Sequence, residues 1–189
     1  MHSSEGVARR FVLDLVAADD WRMTALRQVR ALALPDCWIG AGFVRNLVWD
    51  KLHEFSEATP LDDIDVLYFD ASDRRRRTER ELEARLARAA PGYPWSVRNQ
   101  ARMHQRNGDP PYRDTNDAMR FWLETATVVA VRLDDADRLR LAAPHGLGDL
   151  LGLQLRPTAA GRRRSEQYLA RVAAKNWLRV WPRLIYEAP

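Results

Sequence analysis

Three aspartates crowd one short run of the chain: Asp62, Asp63 and Asp65, inside Leu61 to Phe69. The run is dense in β-branched and aromatic residues, which predicts a strand. Residues two apart in a strand share a face at a spacing of roughly 6.6 Å, so Asp63 and Asp65 point one way and Asp62 the other. Two carboxylates so placed suit Mg²⁺ or Mn²⁺, or a pair of ions roughly 3.5–4 Å apart. A nucleoside triphosphate, whose phosphates bridge such metals, is the substrate this chemistry implies. The metal would lower the pKa of an attacking hydroxyl and neutralise charge on departing pyrophosphate.

An anion has a second candidate holder upstream. A short apolar run, Cys37 to Ile39, ends in Gly40-Ala41-Gly42 and passes into an amphipathic helix from Gly42 to about Phe55. Glycine at a strand-to-helix turn lets backbone approach a phosphate, and the helix N-terminus offers free N–H donors. Arg45, one turn in, complements the anion. The spacing is neither a P-loop, for lack of GK[ST], nor a dinucleotide GxGxxG, because position 45 is arginine. Close helix–strand packing with aspartates at a strand end explains the same residues without chemistry. Downstream, Arg102 and His104 are candidates for triphosphate binding. Trp49-Asp50 and Trp177 to Trp181 read as packing rather than as base-stacking platforms.

The rest of the composition mainly excludes. Cys37 is the single cysteine, so a disulfide or a cysteine-based zinc site within the chain is ruled out; His2, His53, His104 and His145 are too scattered for a zinc motif. No run is apolar enough to span a membrane and Met1 to Arg10 does not read as a signal peptide, which predicts a soluble, cytoplasmic protein. The net charge is +4, carried almost entirely by arginine. Arg74 to Arg77 and Arg162 to Arg164 read first as solvated helix starts, since acidic residues follow each, and second as an anion-binding or RNA-binding surface.

These residues need a frame. Apolar spacing predicts one helix or two from about Val7 to Leu34, broken near Asp19-Asp20, and another from Arg74 to Ala90. Tyr93 to Gln100 and Thr125 to Leu133 predict strands, Arg138 to Leu141 the return of a hairpin, and Thr115 to Leu123 a short helix. Residues 101–111 read as irregular, 157–161 as a linker, and Arg162 to Trp181 as a final helix. The order predicts a mixed α/β (α+β) protein, with residues 1–156 as the main domain and a helical segment, 157–189, packed on it.

The string Trp38 to Asn46 followed by Asp63-Ile64-Asp65 resembles the polymerase-beta-like nucleotidyltransferases. It especially resembles the Gly-Gly-x-Val-Arg-Asp and Asp-x-Asp pair of tRNA nucleotidyltransferases and bacterial poly(A) polymerases. Val48-Trp49-Asp50, the run from Val97 to His104, Glu124 to Thr127, Ala143-Pro144 and Asp149 to Leu151 extend the likeness to a bacterial group called nucleotidyltransferase family proteins. The resemblance implies a nucleotidyltransferase-like central sheet flanked by helices. It implies transfer of a nucleoside monophosphate from an NTP to an acceptor, whether small molecule, protein or RNA. Asp63 and Asp65 would be the catalytic metal ligands, with Gly40, Gly42 and Arg45 at the phosphates. Ala41 stands for the first glycine of the pair and Asn46 for its aspartate. No carboxylate lies in Ser96 to Gln100, where a third is expected, which leaves Asn99 or Glu124 as the further ligand. The alternative is a catalytically degenerate member of the fold that binds a nucleotide or a protein or RNA partner.

Overall fold

The computed structural model describes residues 4–189. Helices α1 (Ser4–Ala17) and α2 (Asp20–Arg30) open it, separated where Asp19 caps the second by accepting the Arg22 N–H. Next come β1 (Trp38–Gly40), α3 (Gly42–Leu52), β2 (Ile64–Tyr68), α4 (Arg76–Ala89) and β3 (Trp95–Asn99). They are followed by α5 (Gln100–Asn107), α6 (Thr115–Met119), a 3₁₀ turn at Thr125–Thr127, and the hairpin β4 (Ala130–Leu133) and β5 (Leu139–Ala142). The last elements are α7 (Gly148–Leu151), β6 (Gln154–Leu155), α8 (Ala159–Arg163), α9 (Ser165–Lys175), α10 (Trp177–Val180) and β7 (Ile185–Tyr186).

Five strands form one mixed sheet in the order β3-β2-β1-β4-β5, and β6 pairs with β7 apart from it. β1 is antiparallel to both β2 and β4, whereas β2 and β3 are parallel and joined across α4. Strand alternation sorts the side chains by face. Ile39, Ile64, Val66, Tyr68, Val97 and Val131 face the large core, shared with Val12, Leu26, Phe43, Trp49, Leu82 and Leu86. The other face carries a smaller cluster, Trp38, Leu67, Met119, Val128, Ala130 and Ala142. Asp65 shares a face with Leu67, at the end of the sheet where that thinner cover leaves room. The register sets Gly40 opposite Asp65 across the β1–β2 ladder, which brings the glycine turn beside the carboxylate.

The elements differ from the sequence reading mainly in the second half. Residues 101–111 hold a real helix, α5, because the Asn99 side chain caps it by accepting the Ala101 N–H and Gly108 closes it at φ +68°. The helix expected over 115–123 stops at Met119, and only Ala130–Leu133 of the long apolar run is strand; Thr125–Thr127 turns instead. The 157–161 stretch is ordered: Thr158 caps α8, and a Cβ on Gly161 would lie 2.2 Å from the Leu123 carbonyl oxygen. The expected final helix is three, broken at Arg164 and at Asn176, whose φ is +51°. β2 begins at Ile64, so Asp63 immediately precedes the strand.

Candidate active site

Gly40, Ala41 and Gly42 do three different things. A Cβ on Gly40 would lie 3.0 Å from Leu67 Cδ1, 3.1 Å from the Trp122 ring and 3.2 Å from the Val129 carbonyl oxygen, so its bareness serves packing. Ala41 turns the chain at φ +56°, ψ −125°; its N–H donates to the Val129 carbonyl at 3.0 Å and its carbonyl accepts the Arg45 N–H at 3.0 Å. Gly42 starts α3 at the cleft, and no described side chain caps this end of the helix. A Cβ there would lie 3.4 Å from the Arg45 guanidinium. Bare backbone at an uncapped helix start is the arrangement that accepts an anion.

Asp63 is exposed and Asp65 half-buried. Among the described residues neither carboxylate has a hydrogen-bond or ion-pair partner. Burial first, then repulsion from Asp63, pushes the Asp65 carboxyl up to about 6, against the opposing charges of Arg171, Arg45 and Arg98. Asp62 is spent elsewhere: Lys175 Nζ donates to it at 2.8 Å and holds its carboxyl below the usual range. No cluster of three or more His, Cys, Asp or Glu disposed to hold a metal occurs among the described residues. The pair therefore supplies two carboxylates, a donor set that suits Mg²⁺ when substrate phosphates and water complete the shell.

Cations surround the pair. Arg45 is 5% exposed, donates to Thr127 Oγ1 at 3.2 Å and to Asn46 Oδ1 at 2.7 Å, and lies 4.6 Å from the Trp177 ring centre and 5.2 Å from that of Trp49. Burial lowers its pKa to about 10, so it stays charged at neutral pH, and the neutral Asn46 leaves that charge uncancelled. Arg171 Nε lies 2.9 Å from Glu124 Oε1 and its guanidinium 5.5 Å from the Trp177 ring. Arg171 belongs to a stripe on α8–α9, Arg164, Gln167, Arg171 and Lys175, that the sequence reading passed over; its three- and four-residue spacing was the available signal.

Two clefts meet at Ala41, Asp65 and Arg171. The first, about 210 Å³, holds Gly42, Arg45, Asp63 and Lys175 against Trp177. The second, about 260 Å³, runs along Arg98, Gln100, Trp122, Glu124 and Gln167. The structure thus gathers Asp63, Asp65, Gly42, Arg45 and Glu124. It does not gather Asn99, Arg102 or His104. In the parallel register Asn99 pairs with Tyr68, on the core face, whereas Ser96 pairs with Asp65 and Arg98 with Leu67. The Asn99 amide is consumed by the chain: Nδ2 donates to the Asp70 and Asp73 carbonyls at 2.8 and 2.7 Å, and Oδ1 accepts the Asp70 and Ala101 N–H groups. Arg102 is paired with the buried Glu79, and His104 packs edge-on to Tyr112; neither lines either cleft. Arg75 and Arg77 pair with Asp73 and Glu81 beside α4, outside both clefts, so the two arginine runs do not share the site's face as a pair.

Residues 27–186 match the nucleotidyltransferase family, and the chain belongs to it. It is similar to a structure described as revealing a CCA-adding enzyme head domain, at 34% identity and a TM-score of 0.82 over 95% of this chain and 96% of that one. A structure of a tRNA-processing enzyme in an apo form matches at 16% identity and a TM-score of 0.50 over 80% of this chain; the match spans 43% of that protein and shows the fold alone. No curated protein matches the sequence significantly. Among the described residues no helix is long and apolar enough to cross a membrane.

Proposed function

We propose that the protein is a metal-dependent nucleotidyltransferase that moves a nucleoside monophosphate from an NTP to an acceptor. The observation that carries this reading is the Asp63–Asp65 pair, whose carboxylates have no partner among the described residues although burial and mutual repulsion oppose the charge on Asp65. Carboxylates left in that state await a cation. Mg²⁺ or Mn²⁺ on Asp63 and Asp65 would supply charge neutralisation and activate the attacking group. The start of α3 would hold triphosphate oxygens, with Lys175 and Arg171 offsetting their charge and Arg45 supporting the turn from behind. Trp177, flanked by Arg45 and Arg171, fixes both guanidiniums and is not free to stack on a base.

The test combines binding and turnover. Wild type is expected to bind an NTP only with Mg²⁺ or Mn²⁺ and to release pyrophosphate when a competent acceptor is present, while the Asp63→Asn/Asp65→Asn variant loses the metal-dependent binding. Unchanged metal-dependent binding in that variant would sink the assignment. The missing third carboxylate, where the structure shows Ser96 and Arg98 instead, favours a second reading: a nucleotide-binding member of the family without turnover. Metal-dependent NTP binding without pyrophosphate release under a broad acceptor panel selects it.

A further inference from the structure

The second cleft opens onto Asp65, and neither Arg45 nor Lys175 lines it. In phosphoryl and nucleotidyl transfer the entering and leaving oxygens lie roughly in line across the phosphorus. If pyrophosphate departs along the first cleft, the acceptor reaches the α-phosphorus from the second. Two features there point to a ligand. Glu124 is 1% exposed, and its Oε1 makes no hydrogen bond; Arg171 Nε stands 2.9 Å away but out of hydrogen-bond alignment. The ion pair with Arg171 leaves this buried oxygen without an aligned donor, so it is free to accept a ligand O–H. Arg98 gives NH1 to Glu83 at 3.0 Å and to the Val97 carbonyl, and among the described residues its Nε and NH2 have no hydrogen-bond partner. Gln100 and Gln167 add amides, and Trp122 an apolar wall.

We infer that the second cleft is the acceptor subsite and that it takes a small phosphorylated polyol, with a hydroxyl on Glu124 and the phosphate on Arg98. The inference rests on the transferase reading above. In the reaction the acceptor hydroxyl oxygen bonds to the α-phosphorus, the α–β P–O bond breaks, pyrophosphate leaves by the first cleft, and the hydroxyl proton passes to the Glu124 carboxylate. Glu124 serves the acceptor in this scheme rather than the metal. The guanidinium of Arg98 is suited to phosphate because its planar donors match two oxygens at once.

Tryptophan indole NMR separates the two clefts, since Trp177 and Trp181 line the first and Trp122 the second. With Mg²⁺, a non-hydrolysable ATP analogue is expected to shift Trp177 or Trp181. Ribose 5-phosphate added next is expected to shift Trp122, and ribose to do so about tenfold more weakly or worse. Arg98→Met and Glu124→Gln should each weaken the ribose 5-phosphate response by about tenfold while the analogue still titrates, which also shows that the variants are folded. Ribose 5-phosphate leaving Trp122 unmoved, or moving it equally in Arg98→Met, overturns the subsite. So does a short single-stranded RNA that shifts Trp122 where ribose 5-phosphate does not. Failure of the analogue to shift Trp177 and Trp181 overturns the transferase reading and the subsite with it, an outcome distinct from silence at Trp122 alone.

Discussion

At neutral pH Asp65 carries a charge that its surroundings oppose, and the size of that opposition is measurable. Its carboxyl is raised to about 6 by burial and by Asp63, whereas in the unfolded chain it titrates near an ordinary aspartate. As pH rises from about 4 to about 6, the unfolded state releases this proton while the native state keeps it, so native stability falls across that window and is level above it. A displacement of that size carries roughly 3 kcal/mol, less here because the group keeps some contact with water; about 2 kcal/mol is expected. Asp65→Asn should therefore be more stable than wild type by about that amount at pH 7.5 in EDTA. The advantage should vanish below about pH 4, as read by urea unfolding at a series of pH values. Equal stability at pH 7.5 would remove the strained-carboxylate account. That Asp63 and Asp65 line one cleft was legible in the sequence, because they are two residues apart; that β2 begins only at Ile64, leaving Asp63 before the strand, was not. That Arg171 pairs with Glu124 beside the aspartates was not, because that contact joins segments far apart in the sequence.

At the scale of elements, the turn from β1 into α3 is held in a conformation that favours glycine. Ala41 adopts φ +56°, ψ −125°, because its N–H is committed to Val129 and its carbonyl to the first turn of α3. Such backbone costs about 1–3 kcal/mol in a residue with a Cβ, offset by roughly 0.4–1 kcal/mol that a glycine would lose through unfolded-state entropy. Ala41→Gly is expected to gain about 1 kcal/mol in urea unfolding, and a loss of stability would show that the alanine methyl contributes packing beyond the strain. The same scale explains the role of Asn99. It was the sequence's nearest substitute for a third carboxylate, but one residue along a strand reverses the face. Its amide ties the Asp70–Asp73 loop to the start of α5 instead. The face beside Asp65 receives Ser96 and Arg98.

At the scale of the whole molecule, residues 157–189 contribute to both the core and the candidate site. Trp177 and Trp181 pack edge-on against Trp49, with ring centres at 6.2 and 5.1 Å, and Trp181 Nε1 donates to the buried Asp50 at 2.8 Å. Asp50 in turn accepts the Thr59 N–H at 2.8 Å, in the loop that leads to Asp62 and Asp63. Residues 1–156 expressed alone are expected to lose the cooperative unfolding transition and to bind a hydrophobic dye. A sharp transition like that of the full chain would instead establish an independent domain. The sequence by itself determined the mixed α/β class, the strand that carries Asp65, the glycine turn and the family likeness, since each is written in local periodicity or in contiguous motifs. Tertiary structure alone decided which charged side chains complete the site. Arg171 and Lys175 lie more than a hundred residues from Asp65 and Asp62, and Asn99 and Arg98 differ by one position. Only the sheet register and the docking of α9 determine which of them face the carboxylates.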